Sequence, residues 1–423
     1  MKNGVLSLER ASTLTKRAIH QHKEGETFVM ITELLQGYIE NEVDLNKKGT
    51  CGSTCKSYQH AVVEGCYLPD DQYCGKHRRC KGKVHDCTFF KSDAEVCISE
   101  LPYRRYDWIR YGSHKFLGRK SFCDNEMKVD SWWRFLYHCS YCVCLCDDSH
   151  SPTSDRFISL KPVVSDIVNG RVVTGVRFIK KNRVVHLQVQ QGAAMPQGQV
   201  DPNTLEWVEV EPITVDSDKY KDGIDYFTFK YEARSMDLDK LKAPKGHVIT
   251  GVKFRTLGAH INLEVKFLTQ YMYKYNVYNV WVTPINFTSA TLSPKMSYWI
   301  SNDNTPIMVN NPRKELKLRD PDDPRYSKTP SEIDSHSDMF VQFQQTSMDL
   351  DVSQLTVPFL DAQPVSPSPA TWLEGLQIYH RGRDGYGGFI GLQVFNFNLK
   401  NHFDNSNLEP QNIQYIFFDK DKK

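Results

Sequence analysis

Gly175-Val176-Arg177-Phe178, followed by Leu187-Gln188-Val189 twelve residues from its glycine, decides the fold because the chain repeats it. Gly251-Val252-Lys253-Phe254 leads to Leu263-Glu264-Val265 at the same step, and Gly375-Leu376-Gln377-Ile378 leads to Leu392-Gln393-Val394 at seventeen. Each member alternates apolar and polar residues, the period of a strand with one buried face. Each pair therefore predicts a β-hairpin, and the third has the longest loop.

The likeness extends outward from the hairpins. Ser235-Met236-Asp237-Leu238-Asp239 precedes the second, Ser347-Met348-Asp349-Leu350-Asp351 precedes the third, and Phe157-Ile158-Ser159-Leu160 holds that place before the first. Aromatic alternations precede the second and third copies at Tyr226-Phe227-Thr228-Phe229 and Asp338-Met339-Phe340-Val341-Gln342-Phe343. Tyr415-Ile416-Phe417-Phe418 is expected to fill the same place for the first. Residues 151–423 thus read as one domain of three antiparallel β units, about 156–233, 234–346 and 347–423. Three Greek-key-like sheets closing around a pseudo-threefold axis would bury every edge; a two-sheet sandwich is the alternative. The middle unit holds an insertion at about 270–330, in which Tyr271 to Val282 alternates like a strand. Asp320-Pro321-Asp322-Asp323-Pro324 lacks the ligand ladder of a calcium loop and reads as a proline-fixed surface turn. Pro364 to Pro369 reads as a loop.

The 423 residues carry 53 Lys+Arg against 51 Asp+Glu, and a net charge of +2 leaves no nucleic-acid footprint. No apolar run approaches the roughly 18 residues of a membrane helix, so no membrane span is expected. All 12 cysteines, Cys51, Cys55, Cys66, Cys74, Cys80, Cys87, Cys97, Cys123, Cys139, Cys142, Cys144 and Cys146, fall in a module at 50–150. Such density reads as a disulfide framework and an extracellular route. Zinc is the rival cofactor, with Cys139 and Cys142 joined by Cys51 and Cys55 or by His77, His85 or His138. Against it, Cys142, Cys144 and Cys146 would share one face of a strand and crowd any tetrahedral site. The start at Met1 shows no basic and apolar leader, so a secreted origin expects a signal peptide absent from this sequence. Asn286-Phe287-Thr288 is a glycosylation sequon.

Residues 5–45 show three- and four-residue apolar spacing, so the segment 1–49 is expected to be helical, a hairpin broken near Gly25. Leu6, Leu8, Ala11, Leu14, Ala18 and Ile19 mark the first arm, and Phe28, Ile31, Leu34, Leu35, Tyr38, Ile39 and Val43 the second. The fold class is accordingly mostly β, with a helical segment and a disulfide-rich irregular module ahead of the three-unit domain. Within the module, the basic run Lys76 to Lys83 reads as a solvated loop, with attraction of an anionic polymer as the alternative. Trp132, Trp133, Phe135 and Tyr137 read as the small core such a module needs, with exposed aromatic rings that stack on sugars as the alternative.

Catalytic signatures are absent: the chain holds no Gly-x-Ser-x-Gly elbow, no His-Glu-x-x-His and no P-loop. Gly385 to Gly391 lies inside a hairpin and is no dinucleotide loop. Asp237, Asp239, Asp349 and Asp351 are expected on solvated strand faces, with metal or sugar ligation as the alternative. The candidate ligand site is the long loop of the third hairpin, where Arg381, Arg383, Asp384, Tyr386 and Gly387 combine an aromatic ring, charges and exposed backbone. A glycine-rich turn is the plain alternative.

Cys51-Gly52-Ser53-Thr54-Cys55, Gly65-Cys66-Tyr67, Val129 to Arg134, Cys139 to Asp148, Leu160 to Asp166 and Val172 to Arg183 together resemble a secreted arthropod family catalogued only as a domain of unknown function. The resemblance implies an extracellular origin and brings no activity or functional residues. The three-hairpin pattern separately resembles β-prism proteins such as jacalin-type lectins and egg vitelline outer-layer protein. The expected function is a non-enzymatic extracellular binding protein for carbohydrate or matrix, with a glycan or extracellular protein as partner. A structural or secretory-fluid component (cuticle, egg coat, saliva or venom) and an enzyme with an unrecognised site are the other classes. The sequence leaves the oligomeric state open.

Overall fold

The computed structural model describes residues 10–11, 22–67, 73–91, 93–112, 114–257, 260–262, 278–300 and 313–397. The first and third repeated stretches form the hairpins their alternation predicts, and the second does so over its described residues, which end at Asn262. Arg171–Lys181 pairs antiparallel with Val184–Met195 through a turn at Asn182 and Arg183. Both turn residues have positive φ, 51° and 69°, the primed geometry that matches strand twist. His247–Leu257 pairs with His260–Asn262, and Leu373–Arg383 with Tyr386–Asn396. Leu263 to Val265 lie outside the described residues.

Each hairpin is extended in the same order. Beyond its second strand lies a parallel strand, Phe157–Ser159, Ser235–Leu238 or Phe359–Asp361 in turn. An antiparallel strand follows, Tyr226–Thr228, Met339–Gln342 or Phe28–Val29 respectively. The sheets are also joined in a ring. Val163–Val164, leaving the first unit, pairs with the second hairpin, and Lys240–Lys242, leaving the second, pairs with the third. Val365, leaving the third, bridges Val176 of the first. The repeated glycine explains itself here. A Cβ on Gly175 would lie 2.8 Å from Ser366 Cβ, and one on Gly375 2.9 Å from the Leu241 carbonyl, where the incoming chain crosses. The inward faces, including Val176, Phe178, Val252, Phe254, Leu376 and Ile378, merge into one core.

Two expectations are corrected in the third unit. Ser347 to Asp351 does not lead it: Met348–Asp351 is a helical turn capped by Val352 in the left-handed region, and Phe359–Asp361 takes the strand position. The closing strand comes from the other end of the chain, at Phe28–Val29. The helix expected over 28–43 is therefore not formed; Phe28–Val29 and Gln36–Asn41 are strands and Glu42–Leu45 is a 3-10 turn. Every residue from 27 to 45 is buried, including Glu33, Gln36, Glu40 and Asp44. An amphipathic helix needs a solvent face, and this segment has none. The first helical arm, apart from a strand at Arg10–Ala11, and Tyr415 to Phe418 lie outside the described residues.

The cysteine module is more regular than its sequence suggests. One sheet orders Gln36–Asn41, Tyr141–Asp147, Lys83–Phe90 and Ala61–Val62; a second orders Lys115–Gly118, Tyr106–Tyr111, Ala94–Ile98 and Glu126–Val129. Six disulfides join Cys51–Cys139, Cys55–Cys142, Cys66–Cys74, Cys80–Cys146, Cys87–Cys144 and Cys97–Cys123. Cys142, Cys144 and Cys146 do share one face of their strand, and each reaches a different partner. No thiolate remains for a cysteine-ligated zinc. Among the described residues no helix is long and apolar enough to cross a membrane.

A buried joint connects module and β units. The fully buried Arg156 guanidinium donates to the Asp147 carboxylate, the Glu33 carbonyl and Ser154 Oγ, the last at 2.6 Å. Gln354, also buried, donates to the Gly37 carbonyl at 3.1 Å and accepts from the Arg105 amide at 2.7 Å.

Candidate functional site

The loop singled out in the third hairpin is largely packed. Its turn is Asp384-Gly385, with φ +78° at the glycine, and only Arg383 and Asp384 are exposed. Tyr386 is half-buried because residue 322 runs alongside: the Asp322 amide donates to Gly385 O at 2.9 Å, and the Gly387 amide donates to Asp322 O at 2.8 Å. Arg381 Nε donates to Ser331 O at 3.1 Å. Gly387 is buried where a Cβ would stand 2.2 Å from Val357 Cβ, so packing accounts for that glycine. The loop encloses His380, fully buried, with Nδ1 2.7 Å from Asp334 Oδ1 and Nε2 3.1 Å from Gly387 O.

The acids expected on solvated faces are mostly inside. Asp237 and Asp239 are buried beside Arg313, whose two Nη atoms each lie 2.6 Å from an Asp239 oxygen. Asp351 is buried against Arg104 at 2.8 Å; Asp349 alone is exposed. Asp320 to Pro324 is likewise no surface turn. Asp322 meets Arg119 Nη2 at 2.6 Å, and Asp323 meets Arg325 Nη2 at 2.6 Å. Arginines supply the countercharge that a calcium reading would give to a metal. The run Lys76 to Lys83 is only partly solvated, since Arg78 binds Glu33 at 3.1 Å and His77 is buried. Asn286 is exposed, its side-chain oxygen accepting from the Thr288 amide at 2.9 Å.

A buried polar cluster beneath the disulfides had no signal in the sequence. The Tyr38 hydroxyl donates to Glu40 Oε2, and His77 Nε2 lies 3.6 Å from the same oxygen. Burial, followed by the Asp44 charge, raises the Glu40 carboxyl to about 8 against the hydrogen bond from Tyr38. Burial also lowers His77 to about 3, so both groups are held neutral. Glu40 therefore favours the fold fully below its unfolded value of 4.5, and that contribution is lost as pH rises through about 8. His77 acts in reverse: its contribution is present above 6.5 and lost as pH falls through about 3. Above pH ~6.5 only the Glu40 slope remains, about 1.4 kcal/mol per pH unit. Urea unfolding at pH 6.5 and 7.5 should show wild type losing roughly that much relative to Glu40→Gln; parallel behaviour of the two proteins would refute the assignment.

The exposed feature is the hairpin Trp132–Arg134 with Tyr137–Cys139. Its aromatic residues do not form the small core expected of them. Trp133 is 70% exposed, Phe135 93%, Leu136 91% and Tyr137 62%. The base is fixed by the Cys51–Cys139 disulfide, by Tyr67 stacked on Trp132 at 5.5 Å, and by Arg134, which donates to Gly49 O and lies 4.7 Å over the Tyr67 ring. Phe135 sits at the turn with φ +54°, a conformation rare for a bulky residue. A two-residue tip has no opposing layer, so it cannot bury its own side chains. What it offers is a rigid, ring-rich contact with His138 5.0 Å from Trp133.

Residues 8–189 match the model of a family described as a domain of unknown function (DUF4803). The matched span takes in the cysteine module with its aromatic hairpin and ends at Val189, on the second strand of the first repeated hairpin. No curated protein matches the chain.

Proposed function

We propose that this is an extracellular, non-enzymatic binding protein that holds carbohydrate or extracellular matrix through the hairpin Trp132–Cys139. The observation that carries the reading is the run of four large apolar side chains, 62–93% exposed, on a disulfide-anchored base. Exposed apolar patches on a folded chain mark contact surfaces. Aromatic faces stack on the apolar faces of sugar rings, and a fixed base lowers the ordering cost of binding. Six disulfides support maturation in an oxidising compartment. Arg383 and Asp384, bordered by Arg381, Tyr386 and Gly387, are the second proposed contact.

Trp133→Ala and the pair Phe135→Ser with Leu136→Ser should each reduce retention on a glycan array while leaving the urea midpoint unchanged. Exposed substitutions of this kind alter stability by roughly 0.5 kcal/mol or less. Asp384→Ala should weaken retention less. Wild-type retention that survives both hairpin variants would overturn the assignment. The aliphatic Leu136 at the tip favours a second reading, a structural component working through protein contacts. In that case sedimentation would show assembly that the double variant abolishes, with no retention on any glycan.

A further inference from the structure

His60, His85 and Glu232 bring one potential ligand atom each to within 4.8 Å of one another. They come from three places in the chain: a turn before Ala61–Val62, the strand Lys83–Phe90, and the connection between the first and second β units. His85 is 1% exposed, and neither of its ring nitrogens has a hydrogen-bond partner among the described residues. Leaving a buried polar atom unpaired is costly, which makes such an atom a pointer to something that binds it. The ring is held in place by Tyr231, stacked on it at 4.0 Å with an interplanar angle of 5°. The Tyr231 hydroxyl is fixed in turn by the Asp86 carboxylate at 3.0 Å. His60 approaches edge-on, its ring centroid 4.8 Å from that of His85.

We propose that His60, His85 and Glu232 bind a single zinc ion. Two imidazoles and one carboxylate suit zinc and are a poor set for calcium or magnesium, which take oxygen ligands. Tetrahedral zinc at about 2.0–2.1 Å from each ligand holds ligand atoms roughly 3.4 Å apart. The present spacing therefore has to close by little more than an ångström. His60 and Glu232 are exposed and can swing to do so, while His85 is the fixed post. His85 and Glu232 also line a cleft of about 330 Å³ with Lys83, Lys230 and His150. Three protein ligands leave the fourth zinc position to water or to an anion entering that cleft. The ion joins the cysteine sheet to the connection between the β units, so it adds a link across the same joint that Arg156 spans.

The experiment uses the full chain with all disulfides intact, stripped with a chelator and titrated with zinc by calorimetry, and with cobalt by visible absorption. One zinc per chain and the absorption of four-coordinate cobalt are expected. Glu232→Gln and His60→Ala, both at exposed positions, should each weaken zinc binding by about a hundredfold or more, since even outer-shell partners of a ligand are worth ~10–100-fold. Both variants should keep the unfolding midpoint of the stripped wild type. No zinc uptake by the wild type, or uptake unchanged in both variants, would overturn the proposal. Neither result depends on what the aromatic hairpin binds.

Discussion

Arg156→Met should lower the unfolding free energy by about 3–5 kcal/mol, the cost of removing one partner from a buried ion pair. Arg156 is fully buried, and burial pulls its guanidinium below the ordinary value while Asp147 opposes the shift. With the guanidinium gone, Asp147 retains one strong donor, the Tyr231 amide at 2.9 Å, and the Glu33 carbonyl loses its donor in the interior. The loss therefore exceeds that of a surface pair, which is worth about 0–1 kcal/mol. Arg156→Met combined with Asp147→Asn should recover part of the deficit, because the stranded charge is then removed as well. Urea unfolding of the three proteins decides it. A single-variant loss below ~1 kcal/mol would mean that the joint relaxes and admits water.

The second large effect lies in the covalent framework. The Cys97–Cys123 bridge closes a separation of 26 residues that no other bridge shortens, and Cys66–Cys74 closes 8. Loop-closure entropy assigns about 3.5 kcal/mol to the first and about 2.5 kcal/mol to the second. Paired alanine replacement of Cys97 with Cys123 should thus destabilise the chain more than the same treatment of Cys66 with Cys74. The larger loss also has a local reason: Cys97 is buried, and the pairing register of Ala94–Ile98 with Tyr106–Tyr111 shifts between Cys97 and Ile98. At that irregularity the disulfide replaces part of the ladder. Denaturant midpoints in the reverse order would refute the loop-entropy account.

The candidate contact shows why burial is hard to read locally. Trp132 and Trp133 are adjacent and chemically identical, yet Trp132 is stacked under Tyr67 while Trp133 points to solvent. Alternation separates them onto two faces, but which face has a neighbour depends on Cys51 and Tyr67, supplied by another loop. Buried acids mislead in the same way. Asp237 and Asp239 look like solvated strand positions until Arg313 arrives from far along the chain. His60, His85 and Glu232 form no sequence pattern at all, because three distant segments supply one ligand each.

The sequence by itself determined the hairpins, the mostly β class and the disulfide-bonded state of the module. Each of these rests on a local property: side chains alternate along any strand, and a dense run of thiols signals its redox chemistry whatever the fold. Only the tertiary structure decided which strands pair. Ser235-Met236-Asp237-Leu238 and Ser347-Met348-Asp349-Leu350 are identical in sequence, yet the first is a strand and most of the second is a helical turn. The first lies between His260–Asn262 and Met339–Gln342, which satisfy its backbone on both sides. The second has no such partners, because Phe359–Asp361 and the distant Phe28–Val29 occupy that place in the third sheet. A strand's hydrogen bonds belong to its neighbours, so four residues cannot specify their own state, and the first fifty could not reveal that they close a sheet made by the last hundred.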